Sequence, residues 1–139
     1  MRALFAVAVL AGLAFPAAAA PPDDQARRLI VGDWIASPYK SDTAGAPQEA
    51  LNRVLARYNP DGTGHIQVFS DAACSRIAFT RAFRWTIAQG VVQTVAPEGR
   101  RTSDQIVTID SQTMTLRLAG TSGLEHRVRA ATCARQMGV

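Results

Sequence analysis

Residues that carry chemistry are scarce in this chain. Its 139 residues include two cysteines, two histidines, two tryptophans and two tyrosines, and aromatics make up 6%. Two cysteines exclude a disulfide-dense miniprotein, and without a Cys-x-x-Cys motif they also exclude a zinc ribbon. His65 and His126 stand apart from each other and from any cysteine at ligand spacing, so no metal site is expected. Paired carboxylates, a glycine-rich phosphate loop and a nucleophile elbow are all missing, and Ser75 beside Cys74 lacks the small neighbours an elbow needs. The expectation is a non-enzyme with no cofactor and no catalytic residues. A catalytic barrel would need His65 or His126 to meet a carboxylate or hydroxyl in a cleft. Lysine is nearly absent too, with Lys40 alone against fourteen arginines.

What is present is a chain 47% hydrophobic and 19% charged, with net charge +4. That balance excludes disorder, and the length fits one domain. The one long hydrophobic run stands at the N-terminus: Arg2, then uncharged residues from Ala3 to Ala14, a break at Phe15-Pro16, and small residues Ala17 to Ala20. One positive charge, a short apolar segment and a small-residue site are the order of a secretory signal. Cleavage is expected after Ala19, because a cut after Ala20 would set Pro21 directly behind the bond. The run falls short of the ~20 residues a spanning helix needs, so the mature chain is expected to have no transmembrane anchor. No cysteine follows the run to carry a lipid. Residues 1–19 are read as a signal peptide and residues 20–139 as one domain, periplasmic or secreted.

Cysteine use agrees with export. In an oxidising compartment Cys74 and Cys133 are expected to form one disulfide, with free thiols as the alternative. Closing a loop of nearly 60 residues stabilises by about 4 kcal/mol in the chain-entropy model. The bridge would also tie down a C-terminal tail that otherwise frays.

Beyond a polar lead-in that could form one helical turn around residues 23–27, apolar residues alternate or come in short runs bounded by turn residues. Strands are expected over residues 29–37, 65–69, 91–95, 105–109, 113–118 and 124–130. Residues 76–88 read as two short strands, or as one bent near Thr80-Arg81. Residues 49–58 suit a helix or a strand, and their neighbours favour a strand. Turns fall at Asn59-Pro60-Asp61-Gly62, Gln89-Gly90, 97–101, 110–112 and 120–123, and the longest loop covers 37–48. About eight short strands at this spacing predict an all-β domain: a compact antiparallel up-and-down β-barrel, with a β-sandwich as the alternative.

Gly32-Asp33-Trp34 opens the first strand after a turn of helix, and Tyr58-Asn59-Pro60-Asp61-Gly62-Thr63-Gly64 forms a sharp hairpin. Trp85 leads a strand into the Gln89-Gly90 turn, and residues 106–117 read as a penultimate hairpin. In this order, over residues 28–130, these pieces resemble the small bacterial lipocalin-like (calycin-type) domains. That resemblance implies a plug in which Gly32 and Trp34 meet a basic residue of the last strand, Arg127 or Arg129. It also implies an interior able to bind a small apolar or amphipathic ligand.

Candidate ligand-binding walls are Phe79, Phe83, Trp85, Ile87, Met114 and Leu116, with Ile66, Val68 and Ile77 beside them. The same side chains could simply fill a small barrel. In that case the arginines, notably Arg76, Arg81 and Arg84, would offer an anion-binding surface to an envelope protein, glycan or lipid head group. Nucleic acid is not expected as a partner, because no aromatic stripe is interleaved with the basic residues.

Overall fold

A computed structural model describes residues 19–36, 54–71, 74–120 and 123–129. Residues 1–18 of the expected signal peptide, the loop at 37–48, residues 49–53 and Cys133 lie outside the described residues. A short helix, α1 (Asp23–Ile30), precedes β1 (Gly32–Ala36), β2 (Val54–Tyr58), β3 (Thr63–Phe69) and β4 (Ile77–Ala88). The chain continues through β5 (Val91–Val95), β6 (Arg101–Ile109), β7 (Thr113–Arg117) and β8 (Leu124–Arg129).

Each strand pairs antiparallel with its sequence neighbour, and β8 pairs back onto β1 with Trp34 opposite Arg129. The result is a closed, up-and-down, eight-stranded antiparallel barrel. The barrel expected from strand spacing is therefore correct, and the sandwich is excluded. Closure leaves no edge strand along most of the sheet.

The local differences have physical causes. Leu29 and Ile30 belong to α1 and not to the first strand. Ala26 and Ile30 lie four residues apart on one helix face, and both are buried. Asp23 and Asp24 at the start of α1, with Arg27 and Arg28 at its end, complement the helix dipole. Residues 77–88 form one continuous strand, with the register shift falling before Phe79 and not at Thr80-Arg81. The loop expected over 97–101 is shorter, since β6 begins at Arg101.

The turns set the ends of the barrel. Gln89 and Gly90 both take positive φ, 52° and 72°, the conformation of a two-residue type I′ hairpin. The Asp23 carboxylate accepts hydrogen bonds from the N–H groups of Gln89 (2.7 Å) and Gly90 (2.8 Å). Arg27 donates to the Ile87 carbonyl at 2.7 Å. These bonds hold α1 across one end of the barrel. Beneath it Ile30, Trp34, Ile87, Ile106, Met114 and Leu116 are buried in one core. A second apolar cluster of Ile35, Leu55, Phe69 and Cys74 lies on the outer face of β1–β3.

Candidate functional site

At the α1 end the barrel is plugged. Trp34 is fully buried and its indole N–H donates to the Ile30 carbonyl at 2.7 Å. The Arg129 guanidinium lies over the indole, its Cζ 4.0 Å from the ring centroid. The same group donates to the carbonyls of Val31 (2.7 Å) and Leu29, the last turn of α1 and its exit. Gly32 takes φ +123°, and a Cβ there would occupy the space of the Arg129 guanidinium. Glycine is thus required twice, by its backbone conformation and by the close approach of the cation. Burial pushes the Arg129 pKa down, against the opposing pull of Asp33.

At the opposite end the described residues form a mouth. A pocket of about 610 Å³ lies in the mouth, floored by Ile66, Phe83 and Leu118. Its polar lining carries Arg81, Arg100, Arg101 and Arg127 against only two acids, Asp104 and Glu125. Thr94 and Thr102 join across β5 and β6 through a 2.5 Å hydroxyl pair.

Arg127 is the most constrained of these arginines, at 8% exposed. Its Nε donates to Glu125 at 2.5 Å and its Nη1 to the Tyr58 hydroxyl at 2.8 Å. Burial disfavours the charge, but Tyr58 and Glu125 outweigh it and raise the Arg127 pKa above the ordinary guanidinium value. Among the described residues Nη2 makes no protein hydrogen bond, so Arg127 lines the pocket as a permanently charged donor.

Beneath the mouth, Tyr58 packs edge-on against Phe83 and Trp85, with ring centroids 5.4 and 5.7 Å away. Trp85 donates its indole N–H to the carbonyls of Asn59 and Thr63. Gly64 makes room for the Phe83 ring, which a Cβ at that position would strike.

These placements sort the candidate ligand-binding residues. Of the six, Phe83 alone lines the mouth pocket. Trp85, Ile87, Met114 and Leu116 are buried in the core between the mouth and α1. Phe79 is 49% exposed at the rim, where Arg81 stands 5.7 Å from its ring centroid. Of the two β8 arginines, Arg129 covers Trp34, whereas Arg127 faces the mouth.

Sequence reading missed Asp104, Glu125 and the mouth roles of Arg81 and Arg127. Their signal was strand parity. Met114 faces Arg127 across β7–β8, and Leu116 faces Glu125, so both charged residues share the inner face with core residues.

On the outer wall Arg57 grips Asp33 through two hydrogen bonds of 2.6 and 2.8 Å. His65 sits beside Arg57 in the register of β2 and β3. Burial, then the Arg57 charge, lowers the His65 pKa below its usual 6.5, while Asp33 pulls the other way. Among the described residues no group of three or more His, Cys, Asp or Glu could hold a metal ion. No helix among them is long and apolar enough to cross a membrane. Comparison with protein-family models, curated proteins and solved structures finds no match for this chain.

Proposed function

We propose that the protein is an exported lipocalin-like barrel that binds a small amphipathic anion in its mouth. The observation that carries this reading is the pocket of about 610 Å³, with an apolar floor and four arginines facing two acids. Pockets of this size hold ligands by shape, with a few polar groups fixing orientation. Arginine grips carboxylate or phosphate bidentately. Arg127 is charged as any guanidinium is, Tyr58 and Glu125 hold it in place, and its Nη2, which has no hydrogen-bond partner among the described residues, is offered to the head group. The ligand's apolar part then rests on Ile66, Phe83 and Leu118.

The lipocalin-like assignment draws support from the Gly32, Trp34 and Arg129 arrangement at the plugged end. A periplasmic or secreted location fits the N-terminal signal pattern and the cysteine usage. A Cys74–Cys133 disulfide belongs to the same reading, supported by an even pair of cysteines in an exported chain. The packed core beneath the mouth favours a second reading, a barrel acting through its arginine-rich face on an anionic envelope component.

A fluorescence titration separates the two, using a dansyl-labelled medium-chain fatty acid and its methyl ester. The acid should bind saturably, at least about tenfold more tightly than the ester. The variant Arg127→Gln should erase most of that preference and Arg81→Ala only part of it. Equal binding of acid and ester, or no saturable binding of either, would refute a ligand-binding mouth.

A further inference from the structure

Among the described residues the barrel wall has a gap beside β4. β4 pairs with β3 along its length, but its pairing with β5 covers only Arg84 to Ala88. Among the described residues, 77–83 therefore have no strand partner on the side away from β3. The Trp85 N–H points to β3, donating to the Gly62 carbonyl at 2.8 Å. Backbone groups alternate along an antiparallel strand, so Thr80 and Ala82 aim their N–H and C=O groups outward at this gap. Residues 77–82 are exposed on both faces, and Ile77 and Phe79 are 53% and 49% exposed. A second cavity, of about 430 Å³, opens where β5 parts from β4, between Ala82 and Pro97.

We infer that this edge receives an extended acidic peptide segment from a partner protein, added to β4 as an extra strand. Backbone hydrogen bonds to Thr80 and Ala82 supply affinity that is blind to sequence, and side chains set the specificity. One face of the edge presents Phe79 and Arg81, and the buried Phe83 continues the alternation beneath them. It matches a strand with an acidic residue opposite Arg81 and an apolar residue two positions away, opposite Phe79. Arg76, Arg84 and, across the gap, Arg101 add positive charge around the edge. A second copy of β4 would bring this same positive charge against itself, which disfavours self-pairing. A charged residue on an edge commonly blocks indiscriminate pairing; Arg81 instead admits strands of the opposite sign.

The test is fluorescence polarisation with a labelled, terminally blocked peptide, Val-Thr-Glu-Thr-Val. Saturable binding is expected. It should weaken at least about tenfold when the peptide's protein-facing amides are N-methylated, and likewise when its Glu is replaced by Lys. Arg81→Glu should reverse the preference and restore binding of the Lys peptide. Thr80→Pro removes an outward N–H without touching the β3 ladder, and it should abolish binding while leaving the circular dichroism spectrum unchanged. Binding indifferent to N-methylation or to the charge swap would overturn the inference, as would no binding at about 1 mM peptide, the weak end of the affinity range. Dimerisation of the free protein that Thr80→Pro removes would overturn the acidic peptide in favour of a second copy. Arg81 also lines the mouth, so N-methylation and Thr80→Pro, which act on the backbone edge alone, separate failure of the edge from failure of the mouth.

Discussion

Replacing Gly32 with alanine should destabilise the barrel far more than the loss of a surface glycine, and the reason can be isolated. At φ +123° an alanine carries backbone strain of about 1–3 kcal/mol. Its methyl also claims the space of the Arg129 guanidinium. Displacing that group loses a cation–π contact worth about 0.5–2 kcal/mol. It also weakens charged hydrogen bonds to the carbonyls at Leu29 and Val31, each worth about 1.5–3 kcal/mol. The single variant should therefore lose ~3–5 kcal/mol in all, within the range of other strained or network-breaking changes. Arg129→Met, which keeps an apolar stem over Trp34 but removes the charge and both hydrogen bonds, should lose at least ~3.5 kcal/mol by the same terms. In the Arg129→Met background the alanine meets no guanidinium, so it should cost only the backbone strain, about 1–3 kcal/mol. Urea denaturation followed by circular dichroism reads all four proteins. At an m-value of ~2 kcal/mol per molar, the Gly32→Ala midpoint should fall by about 2 M. The decisive quantity is the coupling: the double variant should be more stable than the sum of the singles implies by at least ~1.5 kcal/mol. Additivity within ~0.5 kcal/mol would refute the claim that Gly32 serves Arg129.

Two further predictions concern single groups. His65 has a lowered pKa in the folded chain, so on acidification the unfolded chain takes up the proton first. Stability should fall as pH drops from about 7 to 5, and the slope should vanish in His65→Gln. A slope that survives the substitution would point elsewhere. It would not be the aspartates, because Asp23, Asp61, Asp71 and Asp110 have carboxyls lowered by hydrogen bonds and lose their contribution only below about pH 4. The second prediction is that protein recovered from an oxidising compartment, denatured without reductant, shows no thiol to a reactive dye. Two titratable thiols would remove the Cys74–Cys133 bridge.

Much of the barrel was legible because its local signals agree with one another. Gly62 takes φ +83°, and the Gln89-Gly90 pair turns the chain as a hairpin dipeptide should. The alternation of Phe83, Trp85 and Ile87 survives as a buried inner face. Gly32 and Trp34 announced a plug, although the choice between Arg127 and Arg129 needed the register with β1. Opposite Trp34 stands Arg129, whereas Arg127 stands opposite Ala36, nearer the mouth. The helix was underestimated because Leu29 and Ile30 suit a strand by composition. The burial of Ile30 against the barrel end, with the Trp34 and Arg129 hydrogen bonds to the Ile30 and Leu29 carbonyls, holds them in α1.

The mouth was least legible because β8 inverts the usual rule. Its apolar residues Leu124 and Val128 face outward, each 44% exposed, while Glu125, Arg127 and Arg129 face inward. A strand reading by hydropathy turns this strand inside out, since apolar residues normally seek the core. Tertiary context reverses the preference through partners already in place. Trp34 and the carbonyls at the α1 exit receive Arg129, and Tyr58 receives Arg127. A one-residue slip of β8 would move all three charged side chains to the outer face. It would leave the Tyr58 hydroxyl and the Trp34 ring without their cations and would bring Leu124 and Val128 into the interior. The inverted strand therefore fixes the register at barrel closure, and it places a fixed cation at the mouth. Local propensity is overridden where a protein needs a charge held inside, and β8 meets that need at both ends of the barrel.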